Sequence, residues 1–275
     1  MWSDPVITDS AADRRFREQA KALGLDPDSK WVGGYVPVAA REIRHLLAAY
    51  AGKIEGQRLL EFGCNYGASA IVAAKMGAAV TAIDVDEEAI ALARLNAERY
   101  GAGAAVDFRH VPDTRHIPFP DESFDIVLAI SVLEYVRREE LADILLELRR
   151  LLRPGGLLLV SGTASRLAPR EVHSGRWFVN YWPRWVDRKL PGRTSEFQRG
   201  LNPLRLVRAF TDYENLDRAD RGARWCAARK AMGQSPAKLR AARWLARLAA
   251  PLGLSVGMVG SSFSAAWRKP GAIRP

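Results

Sequence analysis

Short apolar runs alternate with amphipathic stretches from residue 58 onward. The runs "RLLEF" (58–62), "AVTAID" (79–84), "AVDFRH" (105–110), "FDIVLAI" (124–130) and "LLLVSG" (157–162) predict five strands. The fourth is apolar throughout, as a strand covered on both faces requires. Between the runs, "GASAIVAAKM" predicts a helix closed by Gly77. "DEEAIALARLNAERY" predicts a second helix, with acids at its start, where they suit the helix dipole. "EELADILLELRRLLR" predicts a third, because Leu141, Ile144, Leu145, Leu148 and Leu152 fall on one stripe and "PGG" follows. Upstream, residues 13–23 and 38–50 read as helices joined by an aromatic, glycine-bearing loop, "DSKWVGGYVP".

Strands alternating with helices predict an α/β fold, a Rossmann-like doubly wound sheet. The expectation is seven strands with a helical insert or cap after strand five. The chain then divides into N-terminal helices and a lid (1–54), a cofactor-binding α/β core (55–163), a basic, aromatic-rich substrate cap (164–236), and a last helix with a closing strand pair (237–275). In that last part, "AKLRAARWLARLAA" (237–250) carries Arg240, Arg243 and Arg247 on one face and Ala241, Trp244, Leu245 and Leu248 on another. "LSVGMV" and "FSAAWRK" read as the two closing strands.

Composition adds limits. The 275 residues suffice for one large domain, or one domain with an insert, and 48% hydrophobic with 26% charged residues is an ordinary globular balance. Two cysteines, Cys64 and Cys226, make neither a disulfide framework nor a zinc spacing, so a reducing compartment and no metal are expected. No basic segment leading into an apolar run opens the chain, so no signal peptide is expected. The uncharged run 248–267 has the length of a membrane span, but three glycines, four serines and Pro251 dilute it. A cytoplasmic protein follows, with peripheral contact at the inner membrane face as a further expectation. Residues 1–165 carry 19 Lys+Arg against 24 Asp+Glu, a net of −5, and residues 166–275 carry 22 against 7, a net of +15. All the excess positive charge lies in the last two-fifths, which points to an anionic partner there.

Ligands of doubly wound sheets sit at the carboxyl ends of the strands. There the first strand runs into Glu61-Phe62-Gly63-Cys64-Asn65-Tyr66-Gly67. Glycines at such a turn permit positive φ and close backbone approach, and the following helix points its free amides at the same place. The bland alternative is a tight strand–helix turn. The second strand ends in Asp84, where an acid can accept hydrogen bonds from both ribose hydroxyls; its bland alternative is a solvated helix cap. Both features suit an adenosine cofactor without choosing between a dinucleotide and S-adenosylmethionine.

In these stretches the chain resembles the class I S-adenosylmethionine-dependent methyltransferases, especially the type 11 group. Glu61, Gly63, Asn65 and Gly67 resemble the family's acid followed by Gly-x-Gly-x-Gly. "VPDTRHIPFPDESFDIVLAISVLEYV" resembles its stretch around the third and fourth strands, and "LRRLLRPGGLLLVS" and "WRKP" resemble its fifth and seventh strands. The resemblance implies S-adenosyl-L-methionine as cofactor. Gly63, Cys64 and Gly67 would face its methionine part through their backbone, with Glu61 near the amino group. Asp84 would hold the ribose, Val85 would lie against the adenine, Asp113 and the Thr114 amide would meet the adenine amino group, and Ser131 would line the site near the sulfonium. Asn65 stands in place of the middle glycine, Thr114 in place of an alanine, and Tyr135 in place of a frequent histidine. Asn tolerates left-handed backbone, and the Asn65 side chain would reach the cofactor carboxylate.

The acceptor is read mainly from residues 164–236. His173 and Glu134 are the catalytic candidates; His173 either takes a proton from an acceptor hydroxyl or is a structural histidine. Arg176, Trp177 and Tyr181, with Tyr35 from the lid, either bind substrate or pack as an aromatic cap. "ISVLEY" after strand four lacks the Asn/Asp-Pro-Pro turn of nucleobase amine methylation, and no cysteine stands where C5 chemistry would need one. The expected function is O-methylation of a small-molecule or glycan-type acceptor, anionic or lipid-linked. Two rivals stand beside it: an RNA methyltransferase using the basic segment, and a non-catalytic cofactor-binding scaffold with a degenerate site. Nucleic acid ranks below the small-molecule partner, and contact with an anionic membrane is the remaining partner expectation.

Overall fold

The structure, a computed structural model, describes residues 10–187 and 199–271. The outer parts of the expected lid and closing segment (1–9 and 272–275), and residues 188–198 of the expected cap, lie outside the described residues. The helices are α1 (Ala11–Ala22), α2 (Tyr35–Tyr50), α3 (Ala68–Lys75), α4 (Glu87–Arg99), α5 (Leu141–Leu151), α6 (Arg184–Asp187), α7 (Pro203–Ala209), α8 (Leu216–Ala219), α9 (Ala223–Ala231) and α10 (Pro236–Ala249). The strands are β1 (Arg58–Phe62), β2 (Ala79–Asp84), β3 (Val106–His110), β4 (Phe124–Ile130), β5 (Leu152–Ala164), β6 (Glu214–Asn215) and β7 (Ser262–Arg268).

Among the described residues these strands form one seven-stranded sheet in the order β3-β2-β1-β4-β5-β7-β6. The first five pair in parallel and β7 runs antiparallel to both β5 and β6. The strand order reverses between β1 and β4, so a crevice opens at their carboxyl ends. Successive residues of the central strands feed opposite cores. Leu59, Ile126, Leu128, Leu157 and Leu159 pack under α2 and α3, while Leu60, Val127, Ala129, Leu158 and Val160 pack under α5 and α7. That two-sided burial is why these runs are continuously apolar.

One strand of the expected closing pair lies elsewhere. "LSVGMV" is not a strand: Val256–Met258 form a 3-10 turn under β7. In sequence the apolar Leu254, Val256 and Met258 alternate with Ser255 and Gly257, which imitates the period of two, but all five residues are buried. A side chain at Gly257 would strike the Ser264 carbonyl at 2.1 Å, so the turn lies flat against β7. The partner of β7 is instead β6, two polar residues within the segment read as a cap. Helix α10 also turns differently from its two sequence faces. Leu239, Ala242 and Ala246 meet Trp225 and Val256, so the row of Trp244, Leu245 and Leu248 faces outward. Among the described residues no helix is long and apolar enough to cross a membrane.

The N-terminal helix is anchored to the core by a buried ion pair. Arg99 Nε donates to Asp13 at 2.7 Å, with both side chains almost wholly enclosed, and the guanidinium lies 4.0 Å from the Phe16 ring centre. Arg99 also donates to Asn96 at 3.1 Å, and Asn96 Nδ2 donates to the Tyr66 carbonyl at 2.7 Å. The chain of bonds therefore runs from α1 through α4 to the glycine turn. Asp13→Ala, which strands Arg99 in the core, is expected to cost about 3 to 5 kcal/mol, read from urea unfolding. Glu98→Ala, which breaks the exposed Arg15–Glu98 pair, is expected to cost less than about 1 kcal/mol in the same measurement.

Candidate active site

The turn after β1 is built on three left-handed residues: Gly63 at φ 72°, Asn65 at φ 46° and Gly67 at φ 76°. Asn65 thus adopts the backbone that a middle glycine would supply, and the turn is intact. The flanking glycines are also required by packing. A Cβ at Gly63 would lie 2.2 Å from Val132 Cγ2, and one at Gly67 2.8 Å from the Phe108 ring. The amides of Gly63 and Cys64 donate to the Ile83 carbonyl, that of Asn65 to Asp84 Oδ2 at 2.7 Å, and that of Gly67 to Cys64. Those four amides are taken up internally, so none of them is left free to hold an anion.

Beside this turn, at the crevice, lies a cavity of about 710 Å³. Gly63, Asn65, Asp84, Val85, Asp113, Thr114 and Ser131 line it, so seven of the ten cofactor residues expected from sequence come together on one wall. Glu61, Cys64 and Gly67 do not line it. Ser131, at the end of β4, is itself left-handed at φ 49°. Asp84 accepts from the amides of Asn65 and Asp86, at 2.7 and 3.1 Å. Both Asp113 oxygens accept from the Arg115 guanidinium, at 2.8 and 2.9 Å, and this holds the carboxyl well below the usual carboxylate range. A ligand amino group reaching Asp113 must share it with Arg115.

Glu61 is 2% exposed, and its Oε2 has no partner. Burial pushes its carboxyl up to about 8, against hydrogen bonds from Ser69 and the Ala70 amide. An orphaned buried acid oxygen behind the turn fits a cationic group such as the ammonium of S-adenosylmethionine. The 710 Å³ cavity has the size of a cofactor site.

On the other side of the cavity stands Tyr135, whose hydroxyl lies 3.1 Å from His173 Nε2. His173 Nδ1 lies 2.7 Å from Glu171 Oε1, which also accepts from the His173 amide at 2.9 Å. Burial works against the Glu171 carboxylate, but hydrogen bonds from His173 and Ser174 outweigh it and hold the carboxyl below its usual range. A charged Glu171 on Nδ1 fixes the tautomer with the proton there, leaving the Nε2 lone pair toward Tyr135. Burial, then Glu134 and Glu171, raise the Tyr135 phenol, so Tyr135 is the donor in that contact. Neither Glu171 nor Tyr135 emerged as a site residue from sequence; the Glu-x-His spacing at 171–173 was the available signal.

The other acceptor-side candidates are more scattered. Glu134 is buried, with Oε1 accepting from the Ala164 amide at 3.3 Å, and burial pushes it up to about 7. Tyr35 lies outside the cavity lining, stacked against Trp31 with ring centres 5.5 Å apart, and burial raises its phenol to about 12. Trp177 lines a separate cavity of about 310 Å³ with Pro169 and Leu254. The Tyr181 hydroxyl donates to the Leu167 carbonyl at 2.6 Å. Arg176, through its carbonyl, accepts from the Glu171 amide and so helps shape the loop around His173. Arg176, Trp177 and Tyr181 thus do not line the main cavity. Among the described residues no group of His, Cys, Asp and Glu is arranged to hold a metal.

A type 11 family model, described as a methyltransferase domain, matches residues 60–160. Known proteins called ubiquinone biosynthesis O-methyltransferases are similar over longer stretches. The one from Paramagnetospirillum magneticum is 34% identical over 210 residues, covering 72% of this chain and 78% of its own. The one from Sinorhizobium medicae is 33% identical over 228 residues, covering 78% and 85%. Against those from Maricaulis maris and Roseobacter denitrificans the chain spans only 66% and 57% of their length. The crystal structure of the cyclase SpnF shares the fold across 97% of this chain and 99% of its own, with a TM-score of 0.51 and 21% identity. Identity of a third over most of both sequences is a family relationship, and this chain belongs to the class I S-adenosylmethionine-dependent methyltransferases.

Proposed function

We propose that the protein O-methylates a small-molecule acceptor with S-adenosylmethionine as donor. The observation that carries the oxygen acceptor is the Tyr135–His173–Glu171 chain, which reaches the cavity through Tyr135 while His173 and Glu171 lie behind it, outside the lining. The similar ubiquinone biosynthesis O-methyltransferases support it. The likeness to a cyclase is a reminder that the fold alone does not set the chemistry.

When bound, S-adenosylmethionine supplies an activated methyl group. The carbonyls of the Gly63–Gly67 turn and the Glu61 carboxyl would hold its amino end, and the Asn65 side chain its carboxylate. Asp84 would hold the ribose, with Val85, Asp113 and Thr114 around the adenine and Ser131 near the reacting centre. The acceptor hydroxyl would lie at Tyr135. As the new O–C bond forms, the acceptor hydroxyl would give its proton to the Tyr135 hydroxyl while Tyr135 passes its own to His173 Nε2, and Glu171 would stabilise the imidazolium that results. Glu134, buried behind Tyr135, acts by positioning. Of the six charged residues lining the cavity, four are acids and two are arginines. That balance favours an uncharged hydroxyl group over the anionic acceptor suggested by the net charge of the C-terminal part. A glycan-type or lipid-linked acceptor is compatible with it where the reacting end is neutral. The four-part division of the chain, with residues 164–236 supplying acceptor contacts through His173 and Glu171, is part of the same proposal.

The outward row of α10 supports a second feature, peripheral contact with an anionic membrane. Trp244 and Leu248 are 59% and 62% exposed beside Arg240, Arg243 and Arg247, the pattern of an interfacial helix.

Three outcomes are expected. With transfer of labelled methyl to a panel of phenols and catechols, His173→Ala is expected to lower kcat by about 10² to 10⁴ with little change in KM. Glu171→Gln should lower kcat less, and unchanged kcat in both would remove the proton relay. Cofactor binding at pH 7 should release a proton, because Glu61 is protonated below about 8 and an adjacent ammonium lowers that value. Calorimetry in buffers of different ionisation enthalpy should show this, and Glu61→Gln should abolish it; heat independent of buffer in the wild type would detach Glu61 from the ammonium. Flotation with phosphatidylglycerol vesicles should recover the wild type and lose Trp244→Glu/Leu248→Glu; equal recovery would exclude α10 as the contact.

A further inference from the structure

A separate cavity of about 290 Å³ opens where α8, α10 and the turn before β7 meet, and it shares no residue with the methyl-transfer cavity. Four arginines line it: Arg218 and Arg221 from α8 and the turn after it, and Arg243 and Arg247 one turn apart on α10. No guanidinium of the four makes an ion pair or hydrogen bond among the described residues. The nearby acids are already engaged. Asp220 caps the turn at Gly222 and Ala223 and pairs with Arg224 at 3.5 Å, while Asp217 Oδ1 accepts from the Tyr50 hydroxyl at 2.6 Å. Four like charges converge on one small space that holds a single acid, Asp217, which is costly unless an anion occupies it.

The cavity wall also holds two buried polar groups, Asp217 and Ser255, which are 2% and 3% exposed. Burial pushes the Asp217 carboxyl up to about 7, against the hydroxyls of Tyr50 and Ser255 beside it. A protonated Asp217 can donate to a ligand oxygen rather than repel it, and the Ser255 hydroxyl can turn to the same ligand.

We propose that this cavity is a binding site for a phosphate group, gripped by Arg218, Arg221, Arg243 and Arg247 and completed at its floor by Asp217 and Ser255. Arginine forks match phosphate oxygens in pairs, and several together suit a doubly charged group. Ala246, Ala250 and Val256 supply an apolar side to the same space, which suits the carbon body attached to the phosphate. Two sources present that chemistry: a soluble phosphate ester, and the headgroup of a phospholipid whose chains meet the outward row of α10. The site stands independently of the methyl-transfer reading.

The test uses the full chain, with glycerol 3-phosphate by calorimetry and phosphatidylglycerol vesicles by flotation, at matched ionic strength. Saturable binding of at least one probe is expected. Arg243→Gln/Arg247→Gln should weaken it at least roughly tenfold, the equivalent of one charge-assisted hydrogen bond. S-adenosylmethionine affinity should stay unchanged in that variant and its melting temperature without ligand should not fall, which shows that it folds. Ser255→Ala should weaken the same probe by a smaller factor. Glycerol 3-phosphate binding that survives Trp244→Glu/Leu248→Glu identifies a soluble ester. Vesicle binding lost in both double variants, without binding of the free ester, identifies the lipid headgroup. Failure of both probes to bind, or binding that is indifferent to the arginine variant, overturns the site.

Discussion

The Asp84 carboxylate fastens the turn after β1 to the turn after β2. One oxygen accepts from the Asn65 amide and the other from the Asp86 amide. The Asp86 bond fixes the carboxylate within its own turn, and the Asn65 bond, with those of the Gly63 and Cys64 amides to the Ile83 carbonyl, ties the two turns together beside the cavity. The same acid faces that cavity, so the group that shapes the site also belongs to its ligand surface. An acid is needed because only a carboxylate has enough lone pairs to accept two amides and still accept from a ligand. Asn65 depends on the arrangement too: its left-handed backbone aims its amide at Asp84.

Around this clasp the ionisable groups divide by depth. Glu61, Glu134 and Tyr35 lie deep, and burial favours their neutral forms. Asp113 and Glu171 have their carboxylates held by donors, one by Arg115 and the other by His173 and Ser174. A cationic ligand arriving at the turn therefore meets acids ready to ionise rather than acids already repelling one another. Behind Tyr135, the charge of Glu171 sits beyond His173, where it orients the imidazole from outside the cavity lining.

The parallel core was legible because its strands are buried on both faces and its turns carry glycine. Each central strand reads as an unbroken apolar run, and "AVTAID" matches β2 residue for residue. Asp84, Asp113 and Ser131 were legible for the same reason, since each follows a strand end. The antiparallel edge was not. β6 has two polar residues and no pattern to read, and the turn at Val256–Met258 imitates a strand because its apolar residues alternate with Ser255 and Gly257 in sequence, although the whole stretch 254–258 is buried. Glu171 was hidden because its role depends on a loop that folds it back onto His173, two residues away, a contact that spacing alone does not distinguish from a surface pair. Trp177 and Tyr181 looked like acceptor contacts by composition, but one lines another cavity and the other ties down the Leu167 carbonyl.

The excess charge of the C-terminal part has a different meaning once it is located. As a sequence total, +15 over residues 166–275 suggests that the methyl acceptor is an anion. In the fold, α10 carries four of those cations and no acid, and its Arg243 and Arg247 join Arg218 and Arg221 around a cavity with no residue in common with the cavity at the β1–β4 crevice. The methyl-transfer cavity has acids in excess instead. Exposed charges are screened over about 10 Å at ordinary ionic strength. Arginines on that edge therefore have little influence on an acceptor at the β1–β4 crevice. The four-arginine cavity and the β1–β4 crevice have separate linings, and they meet in one ligand only if that ligand is long enough to reach from one to the other.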